Sequence, residues 1–313
     1  MTKSSKGILL AICGASLWGG SGAGAQLLFA SAPVSATWLV AVRLLMGGLI
    51  MTAIALIKDR AQVKRLLTTK RDLGLLIAFA FLGMLSSQLT YLLAIQTSNA
   101  STATVIQYLQ PVLIIIWFAF KNQSWPRRLD VFSIALALIG TFFLVTGGRI
   151  DSLTLTPVAL FWGLMCALAA AIYTVLPQGL LTRYDTLTVC GLGMLIGGVC
   201  LSPLLIMTPL PRLTAFDWGT VVYIVLFGTI LSYTLFLSSI NYISPAVTGM
   251  LSAFEPLVAT LLAVCFLGTR LTMAGIWGSI LIIMCTLIQS LPLNRLSKLF
   301  HRQNSWWIAF GNR

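Results

Sequence analysis

Two charged residues interrupt the apolar stretches of this chain, and they carry opposite signs: Arg43 in VAVRLLMGG and Glu255 in SAFEPLVAT. A charge within lipid costs at least about 2.5 kcal/mol, so each must face protein or a water-filled cavity. A carboxylate held there can bind an ammonium group or carry a proton, and a guanidinium can bind an anionic group. As a pair they could hold the two ends of a zwitterion. A structural ion pair is the other reading, as is a snorkelling Arg43 about nine residues from the end of its span. Pro256 follows Glu255 directly. A mid-helix proline removes one backbone hydrogen bond and displaces the carbonyl four residues back, here that of Ser252. Thr248, Ser252 and Glu255 share a face at helical spacing, so the stretch 245–267 is expected to present acceptors to a cavity.

Uncharged polar groups repeat the theme. Gln88, Gln107 and Gln110 lie deep in apolar stretches, and Gln107 and Gln110 fall on one helical face. Such amides either line a cavity or hold helices together, the latter typically for under about 1 kcal/mol each. Tyr91, Tyr108, Tyr173 and Tyr233 are also well inside their spans and join Ser252 and Glu255 as cavity candidates. Aromatic belts sit at the membrane surfaces instead, where Trp125, Trp218, Trp306 and Trp307 are placed. The one histidine, His301, and six scattered cysteines make no ligand cluster and no CxxC. No metal, cofactor, phosphate loop or nucleophile triad is expected, and a membrane enzyme would need such a cluster.

The elements that must position these groups are membrane helices. The chain of 313 residues is 58% hydrophobic and 9% charged, against about 25% charged in soluble domains. Its net charge of +13 does not point to nucleic acid, because the basic residues lie in short loops between apolar runs. Ten apolar spans are marked, at 7–29, 34–57, 73–95, 100–120, 129–147, 157–176, 187–207, 217–239, 245–267 and 271–291. The apolar region of the first is too long for a signal peptide, and its removal would disturb the loop-charge pattern, so it is read as a retained helix. Sixteen Lys and Arg fall on the side of the N-terminus and three on the other, which predicts both termini in the cytoplasm.

The spans repeat. A shift of 145 residues lays Gly83 on Gly228, Ser87 on Ser232, Gln110 on Glu255 and Pro111 on Pro256. A shift of 150 lays Gly47 and Gly48 on Gly197 and Gly198. Five spans per half is odd, so the halves enter the bilayer in opposite directions, as in secondary transporters whose site lies at the repeat interface. The expected fold is an all-α polytopic membrane protein of ten transmembrane helices in two inverted five-helix repeats. The first covers 1–150 and the second 151–291, with a basic, aromatic tail at 292–313 suited to the inner membrane surface. Glycines in the first span (Gly14, Gly19, Gly20, Gly22, Gly24) and the seventh (Gly193, Gly197) suit close helix packing.

With Trp18-Gly19 in the first span, Arg43 in the second, LQPVL at 109–113 and FEPLV at 254–258, the chain resembles the EamA-type branch of the drug/metabolite transporter superfamily. The glutamate that members often carry after the proline helix is absent from KNQSWPRRL and LGTRL. The resemblance implies a basket of two repeats, adds Trp18 to the cavity set, and implies transport of small polar or amphipathic metabolites, often export, across a bacterial inner membrane. Protons are a candidate coupling ion. A multidrug or cation exporter is the alternative, ahead of a membrane enzyme or lipid flippase, and no ring of like charges marks a passive channel.

Overall fold

The computed structural model describes residues 3–121, 123, 128–148, 155–208, 210–243, 247–248 and 251–290. Among them are helices and turns and no strand: α1 (Lys3–Ser31), α2 (Ala36–Thr68), α3 (Lys70–Thr97), α4 (Ala100–Lys121), α5 (Arg128–Thr146), α6 (Pro157–Leu181), α7 (Thr186–Met207), α8 (Ala215–Ser239), α9 (Phe254–Leu267) and α10 (Met273–Ser290). Seven of them, α1–α4 and α6–α8, are long and apolar enough to cross a bilayer, and apolar segments of α5, α9 and α10 are shorter. The chain is a polytopic helical membrane protein. The tail at 292–313, Trp125, Trp306 and Trp307 lie outside the described residues.

Local chemistry sets the helix ends. Ser35 caps α2 by accepting from the Trp38 N–H at 3.1 Å, and Asn99 caps α4 by accepting from the Thr102 N–H at 2.8 Å. Thr156 caps α6 with Pro157 in the first turn, and Thr214 and Asp217 form a reciprocal capping box on α8. Asp59 leaves helical geometry (φ −156°) and its carboxylate accepts from the Gln62 N–H, so α2 bends there. The exposed basic piece beyond the bend explains a helix longer than the apolar span at 34–57.

Two interruptions matter for function. α3 and α8 each contain a π-helical stretch, Phe79–Leu85 and Leu226–Leu231. α4 breaks at Tyr108–Leu109, and the stretch before α9 breaks at Ser252–Ala253. Pro111 and Pro256 therefore sit in the first turn of a new helix, at Gln110–Lys121 and Phe254–Leu267, where a missing N–H costs nothing. This corrects the expectation of a proline kinking one continuous helix. The carbonyl of Ser252 is not orphaned either: it accepts from the Glu255 N–H at 2.8 Å and the Tyr108 hydroxyl at 2.5 Å.

Packing ties the two halves of the chain together through glycine. A Cβ on Gly48 would land on the backbone of Leu195, and one on Gly198 on the backbone of Leu45, so α2 and α7 cross in near backbone contact. α1 packs on α8 and α9, and α6 packs on α3 and α4. α5 and α10 pair with each other at the edge of the bundle, where Gly140 approaches the Gly278 carbonyl. At one end Arg183 pairs with the buried Asp72 at 2.6 Å, Tyr184 donates to the same carboxylate at 2.7 Å, and Lys58 pairs with Asp185. At the other end the Ser31 hydroxyl donates to Asp217 at 2.7 Å.

Candidate functional site

A cavity of about 500 Å³ lies between α1, α2, α3, α4, α6, α8 and α9. The structure brings all eleven sequence candidates to its wall: Trp18, Arg43, Gln88, Tyr91, Gln107, Tyr108, Gln110, Tyr173, Tyr233, Ser252 and Glu255. Ser87, Pro111, Ile114, Ala170, Thr174 and Phe236 complete it. Thr174 and Phe236 were missed because each reads as ordinary helix filler. Their direction depends on which way α6 and α8 turn, which spacing alone does not set. Thr248 was expected on this wall and is not there: it is buried and shares a hydrogen bond with Ser239 at 3.0 Å. The helix break at Ser252–Ala253 rotates it off the face it would share with Glu255.

The breaks in the helices aim the polar groups. The turn at Tyr108–Leu109 directs the Tyr108 phenol across to the break before α9, where it meets the Ser252 carbonyl at 2.5 Å and Glu255 Oε2 at 3.4 Å. A phenol has one proton, and the shorter contact takes it. Glu255 is thus weakly tethered. Its helix is held tightly all the same, since a Cβ on Gly19 of α1 would strike the Glu255 carbonyl. Gln107 presents a buried Oε1 with no partner among the described residues. Gln110 is different: its amide donates to Thr174 on α6.

Arg43 is buried at 4% exposure. Its Nε donates to Thr229 Oγ1 at 2.8 Å and its Nη2 to the Gly228 carbonyl at 3.0 Å, both in the π-helical stretch of α8. The ion pairs among the described residues are Lys58–Asp185 and Arg183–Asp72, so Arg43 and Glu255 face one cavity without pairing. The alternative reading of a structural Arg43–Glu255 ion pair finds no such contact among the described residues.

The aromatic groups form a connected wall. Trp18 stands edge-on to Tyr233 (5.0 Å between centroids, 79°) and tilts over Phe236 at 4.8 Å. Tyr173 donates to the Tyr233 hydroxyl at 3.1 Å, and Tyr91 shares a hydrogen bond with Thr104 at 2.9 Å. Phenols that hold each other leave ring faces and edges toward the cavity, suited to an apolar body or a cation. Among the described residues no group of His, Cys, Asp and Glu could hold a metal ion, and the six cysteines are free thiols.

The profile of the EamA-like transporter family matches the chain twice, over residues 5–146 and 157–291. The chain is 36% identical to a protein of Salmonella typhimurium named as an uncharacterized inner membrane transporter, YicL, over 95% of this chain and 99% of that one. It is 27% identical to the uncharacterized transporter YwfM of Bacillus subtilis, over 90% and 92%. A crystal structure superposes with a TM-score of 0.63 at 22% identity, covering 93% of this chain and 99% of that one, a likeness of fold. A protein whose membrane helices surround a cavity with charged, amide and phenolic groups in its wall, and whose two halves each match the same transporter profile, belongs to the EamA-like transporter family of the drug/metabolite transporter superfamily.

Proposed function

We propose that this protein is a secondary active transporter that moves small amphipathic or zwitterionic organic solutes, amino-acid-like in size and charge, by alternating access. The observation that carries the reading is the cavity wall. Arg43 and Glu255 face it with opposite charge and without pairing, beside the unpaired Gln107 acceptor and an aromatic wall. The eleven residues are the proposed substrate contacts, and Glu255, the one carboxylate among them, is the proposed proton carrier. Both termini in the cytoplasm of a bacterial inner membrane complete the reading, supported by the sixteen-to-three charge asymmetry, with export as the proposed direction. The named relative in Salmonella typhimurium agrees with that membrane.

The architecture proposed for it is ten transmembrane helices in two inverted five-helix repeats, 1–150 and 151–291. Several pairs support it. Gly48 meets Leu195 while Gly198 meets Leu45, and 48 and 45 shifted by 150 are 198 and 195, so the contact is reciprocal as a pseudo-two-fold axis requires. The π-helical stretches overlap under the shift of 145, and the helix breaks fall close to one another under it. Asp72 and Asp217 are the third residues of α3 and α8 and are also 145 apart. Single cysteines at Thr68 and Thr208, in a cysteine-free background, should label from opposite sides of the membrane. Labelling from one side would refute the topology.

Liposomes carrying the purified protein, screened with labelled amino acids and amines with and without a pH gradient, test the function. Uptake or counterflow that the gradient drives and that Glu255→Gln abolishes is the expected result. A multidrug or cation exporter is the second reading, favoured by one carboxylate beside Trp18, Tyr173 and Tyr233. It predicts transport of quaternary ammonium dyes and none of zwitterions. A membrane enzyme or flippase has less support in a wall with one carboxylate and no histidine.

A further inference from the structure

Arg43 holds a full charge in the interior of the bundle with no carboxylate within ion-pair distance among the described residues. Its hydrogen-bond partners are both neutral and come from consecutive residues of α8, the Gly228 carbonyl and the Thr229 hydroxyl. An arginine that served only to fasten α2 to α8 would be expected to turn its whole fork into the interface. This one also lines the cavity, and its hydrogen bonds to described residues use Nε and Nη2, leaving Nη1.

The backbone of α8 explains how the partners become available. In a π turn the hydrogen-bond register widens from four residues to five, and carbonyls are left for other donors. Thr229 passes its own proton back to the Ile224 carbonyl, five residues earlier, at 3.0 Å. With its proton so directed, the Thr229 oxygen can only accept from Arg43. The sequence Arg43 Nε–H to Thr229 Oγ1–H to Ile224 carbonyl therefore has one direction and one geometry. Thr229 is fully buried and is not part of the cavity wall, so it acts through Arg43.

We propose that Thr229, presented by the π turn of α8, is a positioning residue that holds the Arg43 guanidinium with its free edge toward the cavity, where it receives a carboxylate or similar anionic group of the solute. The proposal rests on the cavity being the substrate site, and deepens that reading by assigning its anion-holding end. Its test needs no transport. The purified full-length protein is treated with phenylglyoxal, which modifies arginine, and modification of Arg43 is followed by peptide mass spectrometry. Benzoate is the anionic probe and benzylamine its cationic control.

In the wild type, benzoate should slow modification of Arg43 and benzylamine should not. In Thr229→Val, which keeps the side-chain volume and removes the hydroxyl, protection by benzoate should weaken about tenfold, the scale of one charged hydrogen bond. Thr229→Ser restores the hydroxyl and should restore protection, an effect that a change in helix packing alone would not produce. Three results would each overturn the proposal: no benzoate protection in the wild type, equal protection in Thr229→Val, or failure of Thr229→Ser to differ from Thr229→Val. The wild-type arm stands even if Thr229→Val does not fold. Benzoate protection without any solute flux in liposomes would sink the transport reading and leave this assignment in place.

Discussion

The π turns of α3 and α8 share a backbone and differ in use. Each places a glycine against the helix that opens the other half: Gly83 against the Tyr173 backbone of α6, Gly228 against Ser21 of α1. Each has a hydroxyl reaching five residues back, Ser86 to the Phe81 carbonyl at 2.7 Å and Thr229 to the Ile224 carbonyl at 3.0 Å. In α3 the surroundings are apolar, with the Phe79 ring packed 5.5 Å from Tyr173 and against Gly193. In α8 the turn holds a guanidinium. The same split recurs just after the break within α4 and at the start of α9, with Gln110 bonded to Thr174 in one and Glu255 weakly tethered in the other. Similar interruptions of the helices shape two sides of the cavity, and different residues at them supply its charge.

The largest expected effect comes from erasing that charge difference. Glu255→Gln makes the second break resemble the first, and solute flux should fall about ten- to a hundredfold with its pH dependence lost, the worth of a charged hydrogen bond. Adding Gln110→Glu to Glu255→Gln should not restore it, because residue 110 points to Thr174. Rescue by the double variant would show that the cavity needs a carboxylate anywhere on its wall. Flux and pH profile measured in liposomes separate the cases.

A second pair sits at the ends of α3 and α8. Arg183→Gln leaves the buried Asp72 carboxylate with only the Tyr184 hydroxyl and should cost about 1–3 kcal/mol. Ser31→Ala removes one of several donors to Asp217 and should cost about 0.5–1.5 kcal/mol. Thermal midpoints in one detergent rank them, and the opposite order would mean that the two aspartates are not equivalent supports.

Filling the two glycines acts on a similar scale. Gly228→Ala should destabilise by about 1–3 kcal/mol and also weaken benzoate protection of Arg43, because the new methyl pushes on Ser21 and moves the carbonyl that holds the guanidinium. Gly83→Ala meets the Phe79 ring at 3.0 Å and the Tyr173 backbone at 3.2 Å, and should affect stability alone. Met84→Leu, at the position related to Thr229 by the 145 shift, should cost under about 1.5 kcal/mol and leave Arg43 untouched. A change in Arg43 reactivity in that variant would break the comparison.

Much of the cavity wall was legible beforehand because lipid makes polar groups conspicuous. Arg43, Glu255 and the buried amides stand out in apolar runs for the same reason that they must face inward. Thr229 was not legible. A threonine in a membrane helix commonly bonds its own backbone, and its second role depends on where α2 passes α8. Nor were the breaks at Tyr108–Leu109 and Ser252–Ala253, since proline suits both a kink and a first turn, and the flanking contacts decide between them.

By itself, then, the sequence determined the class of the protein, its apolar helical character and the residue types that could meet a solute. Those follow from hydrophobic transfer and the insolubility of charge in lipid, which act on each segment alone. Which way each helix turned was decided only in the tertiary structure. That choice gave Ser252 a donor in Tyr108, removed Thr248 from the wall, and kept Arg43 and Glu255 apart across the cavity. A hydrogen bond depends on distances and angles between segments far apart in the chain, and spacing along one helix carries none of that information.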